Sequence, residues 1–155
     1  MSNLPAQVTT SAPATIALCC FAIIAALVGG VGIPDGLVVR HLVQTAPLWV
    51  AVVLGLCRSR ATGWLALPLF LFWLTVMALI WLYLLGIAHV LSGHFSPLEI
   101  AMTIVVGIAS VAGIAAAARF KSRLSAPAAA GLFVIAAVIQ WACFRISFFP
   151  AIAHH

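Results

Sequence analysis

Arg40 and Gln44 stand four residues apart, as do His41 and Thr45, so each pair shares one face of a helix. A guanidinium, an imidazole and a carboxamide on one turn suit an anion site, a quinone site or a proton path. Ionisable groups are costly at membrane depth and are usually retained there for a purpose. With Asp35, Glu99 and Arg145 they form the candidate polar site of this chain: Arg40, His41, Gln44, Glu99, Arg145 and Asp35. The plainer reading places Arg40 and His41 at headgroup level, touching lipid phosphate or capping a neighbouring helix. Arg145, with Gln140 deeper in the same segment, is expected to pair with Glu99 or Asp35, which would lower the cost of both charges.

His41, His89 and His94 are the residues that would ligate a metal or, from opposite helices, a b-type haem. The five-residue step from His89 to His94 is not the spacing that puts two ligands on one helix face, so no cofactor is expected. Haem, a metal or a quinone remain the alternatives. His154 and His155 are assigned no role. Cys19, Cys20, Cys57 and Cys143 lack CxxC or Cys/His ligand spacing and read as small apolar residues. Leu18 stands where a lipoprotein cleavage site needs a small residue, so Cys19 is not expected to be processed. No nucleophile–base set, P-loop, HExxH or carboxylate pair is present, and an enzyme is not expected.

The elements that must hold these groups are set by composition. Of 155 residues 66% are hydrophobic and only 6% charged, with a mean hydropathy of +1.29. Soluble domains run at roughly 45–50% apolar and about 25% charged, so the solvent is lipid. The net charge of +5 comes largely from Arg58 and Arg60 in one loop and Arg119, Lys121 and Arg123 in another. Cytoplasmic loops collect such residues, and no basic run with interleaved aromatics tracks a phosphate backbone. Nucleic acid is excluded as a partner.

The expected fold is an all-α, polytopic integral membrane helix bundle with five transmembrane helices. Residues 1–13 read as a flexible polar tail, 14–149 as one transmembrane domain and 150–155 as a short C-terminal tail. The expected spans are 14–33, 36–57, 63–91, 97–118 and 126–149. Pro47 brings an alternative, four spans plus an interfacial or re-entrant segment at 34–57, because proline removes a backbone bond and favours a break after Ala46. Asp35 is expected to cap the second helix, and Ser96, Pro97 and Glu99 to open the fourth.

Small residues recur every four positions at Ala22, Ala26 and Gly30, and again at Ala25 and Gly29. Thr103, Gly107, Ser110, Gly113 and Ala117 make a second such face. Such ridges let helices approach closely. With loops 58–62 and 119–123 in the cytoplasm, loop 92–97 and the C-terminus lie on the opposite side. If 36–57 spans, Asp35, Arg40, His41, Glu99 and Arg145 gather at that far surface; otherwise the constellation dissolves. The leading functional expectation is a non-enzymatic protein of the bacterial inner (plasma) membrane, an accessory or assembly subunit or a homo-oligomer. Its partners would be the lipid bilayer and other membrane subunits or itself. The alternatives are a small transporter or channel using the outer polar site, and a haem- or quinone-binding redox protein.

Overall fold

A computed structural model describes residues 12–88, 95–121 and 124–153. The polar-tail residues 1–11, His89, His94, Arg123, His154 and His155 lie outside the described residues. Those described form helices α1 (Ala12–Gly32), α2 (Val38–Leu56), α3 (Thr62–Leu84), α4 (Pro97–Arg119) and α5 (Ala126–Ile146), then a turn of helix, α6 (Pro150–Ala153). Each of the first five is long and apolar enough to cross a membrane. Leu18, Val53, Ile108 and Val138 are all more than half exposed, at 67%, 57%, 66% and 61%. In water this would be a liability. In lipid it is the solvated surface, and the helices satisfy their own backbone groups.

α1 packs on α2 and α4, α3 on α4 and α5, and α2 also on α5. The centre is filled by Ile16, Cys20 and Ile23 of α1, Leu48 and Ala51 of α2, Leu69 and Phe70 of α3 and Val106 of α4, all fully buried. The Phe70 ring lies directly on Gly113, where any side chain would collide with it. α5 sits at the margin and buries only Ala129, Ala136 and Gln140 along its length.

α2 is continuous through Pro47, so the alternative with a break at 34–57 does not form. Pro47 leaves the Val43 carbonyl without its usual donor. One residue on, Gln140 of α5 supplies a donor from outside, its Nε2 lying 3.0 Å from the Gln44 carbonyl oxygen. A neighbouring side chain that serves the backbone around a proline is what makes such a helix tolerable inside a membrane.

Three helix ends share one cap. Leu37 N–H donates to the Gly32 carbonyl at 2.8 Å, Ser59 N–H to Leu54 at 2.9 Å and Ile87 N–H to Leu82 at 2.9 Å, each spanning five residues. The residue inside each turn takes positive φ: Gly36 at 69°, Arg58 at 50° and Gly86 at 71°. The cap at Gly86 ends α3 at Leu84, so the third helix is shorter than the expected 63–91 span. The cap at Gly36 starts α2 at Val38 and leaves Asp35 exposed within the turn, so Asp35 does not cap α2. α4 opens as its sequence demands. Glu99 N–H donates to Ser96 Oγ at 3.2 Å and Ser96 N–H to Glu99 Oε2 at 2.6 Å, a reciprocal capping box behind Pro97.

Loop 58–62 and the described part of the second basic loop, 119–121, lie at one end of the bundle. There a side chain at Gly63 would meet the Phe120 ring at 2.8 Å, and one at Gly55 would meet the Pro13 carbonyl oxygen at 2.8 Å. The opposite end carries the turn at Asp35, the start of α4 and the end of α5.

Candidate functional site

At this second end the buried face of α2 is polar. His41, Gln44 and Thr45 are 9%, 4% and 0% exposed. Thr45 Oγ1 donates to the His41 carbonyl at 2.8 Å, returning a proton to its own helix. Gln44 Nε2 donates to Ser147 Oγ at 3.0 Å, and Ser147 Oγ donates to the Phe144 carbonyl at 2.7 Å. With the bond from Gln140, two polar contacts tie α2 to α5 and its cap through a lipid-depth interface where each donor has few alternatives.

Arg40 is half-buried, its guanidinium carbon 4.3 Å from the centroid of the Phe148 ring. An aromatic face takes the charge of this cation. Phe148 continues into a row of rings: Phe144 at 5.1 Å, Phe72 a further 5.2 Å on, and Trp73 at 5.5 Å from Phe72.

Between these elements and α1, α3 and α4 lies a cavity of about 310 Å³, lined by Asp35, Arg40, His41, Gln44 and Glu99. Five of the six candidate polar residues thus surround one space, which is the size of a small-molecule site. The second half of α1, Ala25–Gly32, is wound as a wide π-helix. It presents Leu27 and Val31 to the cavity, while Gly32 lets His41 approach so closely that a side chain there would meet the ring at 3.1 Å. Wide turns of this kind are found disproportionately at functional sites.

Among the described residues, three that line the cavity keep a buried polar atom with no hydrogen-bond partner: Arg40 Nε, His41 Nδ1 and Trp73 Nε1. Buried polar groups are paired in the great majority of proteins, and leaving one unpaired costs about 1–3 kcal/mol. Three at one cavity mark it as the place where the chain forgoes stability.

Arg145 does not join the site. It is exposed on α5, which packs on α2 and α3, whereas Glu99 is on α4. The expected ion pair of Arg145 with Glu99 or Asp35 is therefore not formed among the described residues. Glu99 is instead held by the Ser96 amide while it borders the cavity. Of the metal or haem candidates only His41 is described; His89 and His94 lie outside the described residues. The described cysteines are all free, Cys19 and Cys20 buried, Cys57 exposed and Cys143 half-buried.

The small-residue faces divide. The ridge through Ala22, Ala26 and Gly30 ends on Met102 of α4, whose thioether occupies the space a side chain at Gly30 would need. Gly113 is covered by Phe70 and Ser110 is fully buried, both inside the chain. Ala25 and Gly29 face outward, and Gly107 has open space before it. Phe148 and Ser147 were not singled out by sequence, and Trp73 stood there only beside Phe70, Phe72 and Trp81, as packing or lipid-facing aromatics that weakly suggest a pigment or quinone pocket. Ser147 carries a usable signal, because it lies seven residues from Gln140 and hence on the same helix face. Nothing distinguishes Trp73 from the other four tryptophans. No protein-family model, curated protein or solved structure matches this chain.

Proposed function

We propose that this chain is a non-enzymatic integral membrane protein that holds a small membrane-soluble molecule in the cavity beside His41. The single observation that carries this reading is one 310 Å³ space lined by Arg40, His41 and Trp73, each of which keeps a buried polar atom unpartnered among the described residues. The positive-inside rule orients the chain with loops 58–62 and 119–123 in the cytoplasm of a bacterial inner membrane, so the cavity faces the outer leaflet. A binding or carrier role fits this placement, because a ligand would enter at headgroup level near Asp35 and Glu99 without crossing the core.

The test is organic extraction of the chain purified from its native membrane, followed by mass spectrometry. The native chain is expected to release a stoichiometric small molecule that a cavity-filling Val76→Trp variant lacks. An identical extract from both overturns the reading.

Assembly with other subunits, or with itself, is the second reading. It draws on the lipid-facing groove between α3 and α4, where Gly107, Ala112 and Ala115 leave room. It is weakened because Gly30, Ser110 and Gly113 are used inside the chain. Crosslinking in native membranes that recovers no partner and no oligomer would set it aside.

A further inference from the structure

On the reading just given, that the cavity beside His41 holds a ligand, its charged groups narrow what that ligand is. Asp35 in the turn before α2, Arg40 on the first turn of α2 and Glu99 on the first turn of α4 all border it. The charges of all three reach the His41 ring in its wall. Opposite charges around so small a space ordinarily close into an ion pair. Here, among the described residues, Arg40 pairs with neither acid. The cavity lies between them.

Each of the three keeps capacity to bind. Arg40 Nε is closed off, but the two terminal nitrogens of its guanidinium are neither buried nor hydrogen-bonded among the described residues. Glu99 gives Oε2 to the Ser96 amide and keeps Oε1. Asp35 is exposed.

Depth sets the rest of the ligand. Below these charges the lining continues along α2 to Gln44, along α4 to Val106, and along α3 from Ile80 back to Trp73. Glu99 to Val106 covers roughly 10 Å of helix. Val76, Met77 and Val106 make this lower part apolar. A matching ligand carries both signs of charge at its outer end and hydrocarbon at its inner end, which is how a zwitterionic lipid stands in its own leaflet.

Charge and hydrogen bonding then select the headgroup. A plain anion would meet Arg40 but be repelled by two carboxylates, and a plain cation would leave Arg40 unmet. Carboxylates only accept, so the positive group must bring N–H donors. A primary ammonium does so and a trimethylammonium does not.

We propose that the cavity binds the headgroup of a primary-amine phospholipid, with its phosphate on the Arg40 terminal nitrogens, its ammonium on the Asp35 and Glu99 carboxylates, and hydrocarbon directed toward Trp73 and Val106.

The test uses the full chain in phosphatidylcholine nanodiscs, with empty discs as the partition blank. Decyl phosphoethanolamine, decyl phosphocholine, decyl phosphate and decylamine are titrated. Saturable binding above the blank is expected for the first, with each of the others about tenfold weaker or more, the worth of one charge-assisted hydrogen bond. Arg40→Gln should weaken decyl phosphoethanolamine about tenfold and remove its advantage over decylamine. Arg40→Lys should restore most of it. Glu99→Gln retains a side chain that can accept from the Ser96 amide, and should remove the advantage over decyl phosphate instead. A fold-wide defect would not remove a different preference in each variant. Free O-phosphoethanolamine, lacking the hydrocarbon, should displace the decyl probe only weakly.

Phosphocholine bound as tightly as phosphoethanolamine overturns the proposal, as does binding indifferent to both Arg40→Gln and Glu99→Gln. Displacement by free O-phosphoethanolamine at equal strength overturns the lipid and assigns the site to a soluble zwitterion. If only decyl phosphate or only decylamine binds, and Val76→Trp abolishes that binding, the ligand site stands and its assignment to a zwitterion falls. If no probe binds, the proposal falls, and the ligand site falls with it where Val76→Trp also leaves the organic extract unchanged.

Discussion

At the basic-loop end, the Thr62 hydroxyl shares its proton between the carbonyls of Leu54 and Ser59 at 2.9 and 2.8 Å, and Gly55 and Gly63 bring the helices into contact. At the cavity end, Arg40, His41 and Trp73 each keep a buried polar atom without a well-formed hydrogen bond among the described residues. The same helices run through both ends, so lipid solvent and helix length are held constant. What differs is side-chain size and the use of polar groups. Small residues close one end, and Met102, Trp73 and Phe148 hold the other apart around a space. Stability is concentrated where the loops are basic, and the cost of unpaired donors is accepted where a ligand would sit.

The largest effect that separates the two ends is topological. Cys57 is exposed beside the basic loop, while Cys19 and Cys20 are buried. A membrane-impermeant maleimide should label Cys57 in inverted vesicles and leave it untouched in right-side-out ones. The reverse pattern would put the cavity in the cytoplasmic leaflet and break the comparison at its root.

Next in size is packing. Gly55→Val at the closed end should cost about 2–3 kcal/mol in dodecyl-sulfate unfolding from mixed micelles, because the new side chain meets the Pro13 carbonyl oxygen and Ala17. Gly107→Ala should be neutral or slightly stabilising, since it meets open space in a helix. Equal costs at both positions would mean that the ends are packed alike.

Polar deletions sharpen the contrast further. Thr62→Val should lose about 1 kcal/mol, the worth of a made hydrogen bond. His41→Leu removes an orphaned nitrogen, and its unfolding midpoint should stay level or rise while ligand binding falls. A destabilised His41→Leu chain would show that the His41 ring is already served within the fold.

The smallest differences lie in the caps. Gly36→Ala should cost about 1 kcal/mol, because φ there is +69°. Arg58→Gly should gain about 0.5 kcal/mol by relieving the same left-handed conformation at the other end. The two shifts, read in one unfolding assay, should have opposite signs.

Much of this could be read directly from sequence, because it is local. Five apolar runs of spanning length and the Ser96–Glu99 capping box behind Pro97 each follow from residues near one another in the chain, and the gathering of Asp35, Arg40, His41 and Glu99 at one surface follows from counting those spans between the basic loops. A helix in lipid must satisfy its backbone internally, so its existence barely depends on its neighbours. The end of α3 is local too, and Gly86 was the signal for it.

Tertiary structure alone decided which faces meet. In water, hydropathy separates the buried side of a helix from the solvated one. In lipid both sides are apolar, so the rotation of each helix leaves little trace in composition. That is why Ala22 and Gly30 turn inward while Ala25 and Gly29 do not, why Arg145 is left on the lipid-facing side of α5, and why Pro47 survives inside α2 beside the amide of Gln140. It is also why Trp73, one apolar residue among many in α3, becomes the floor of the cavity.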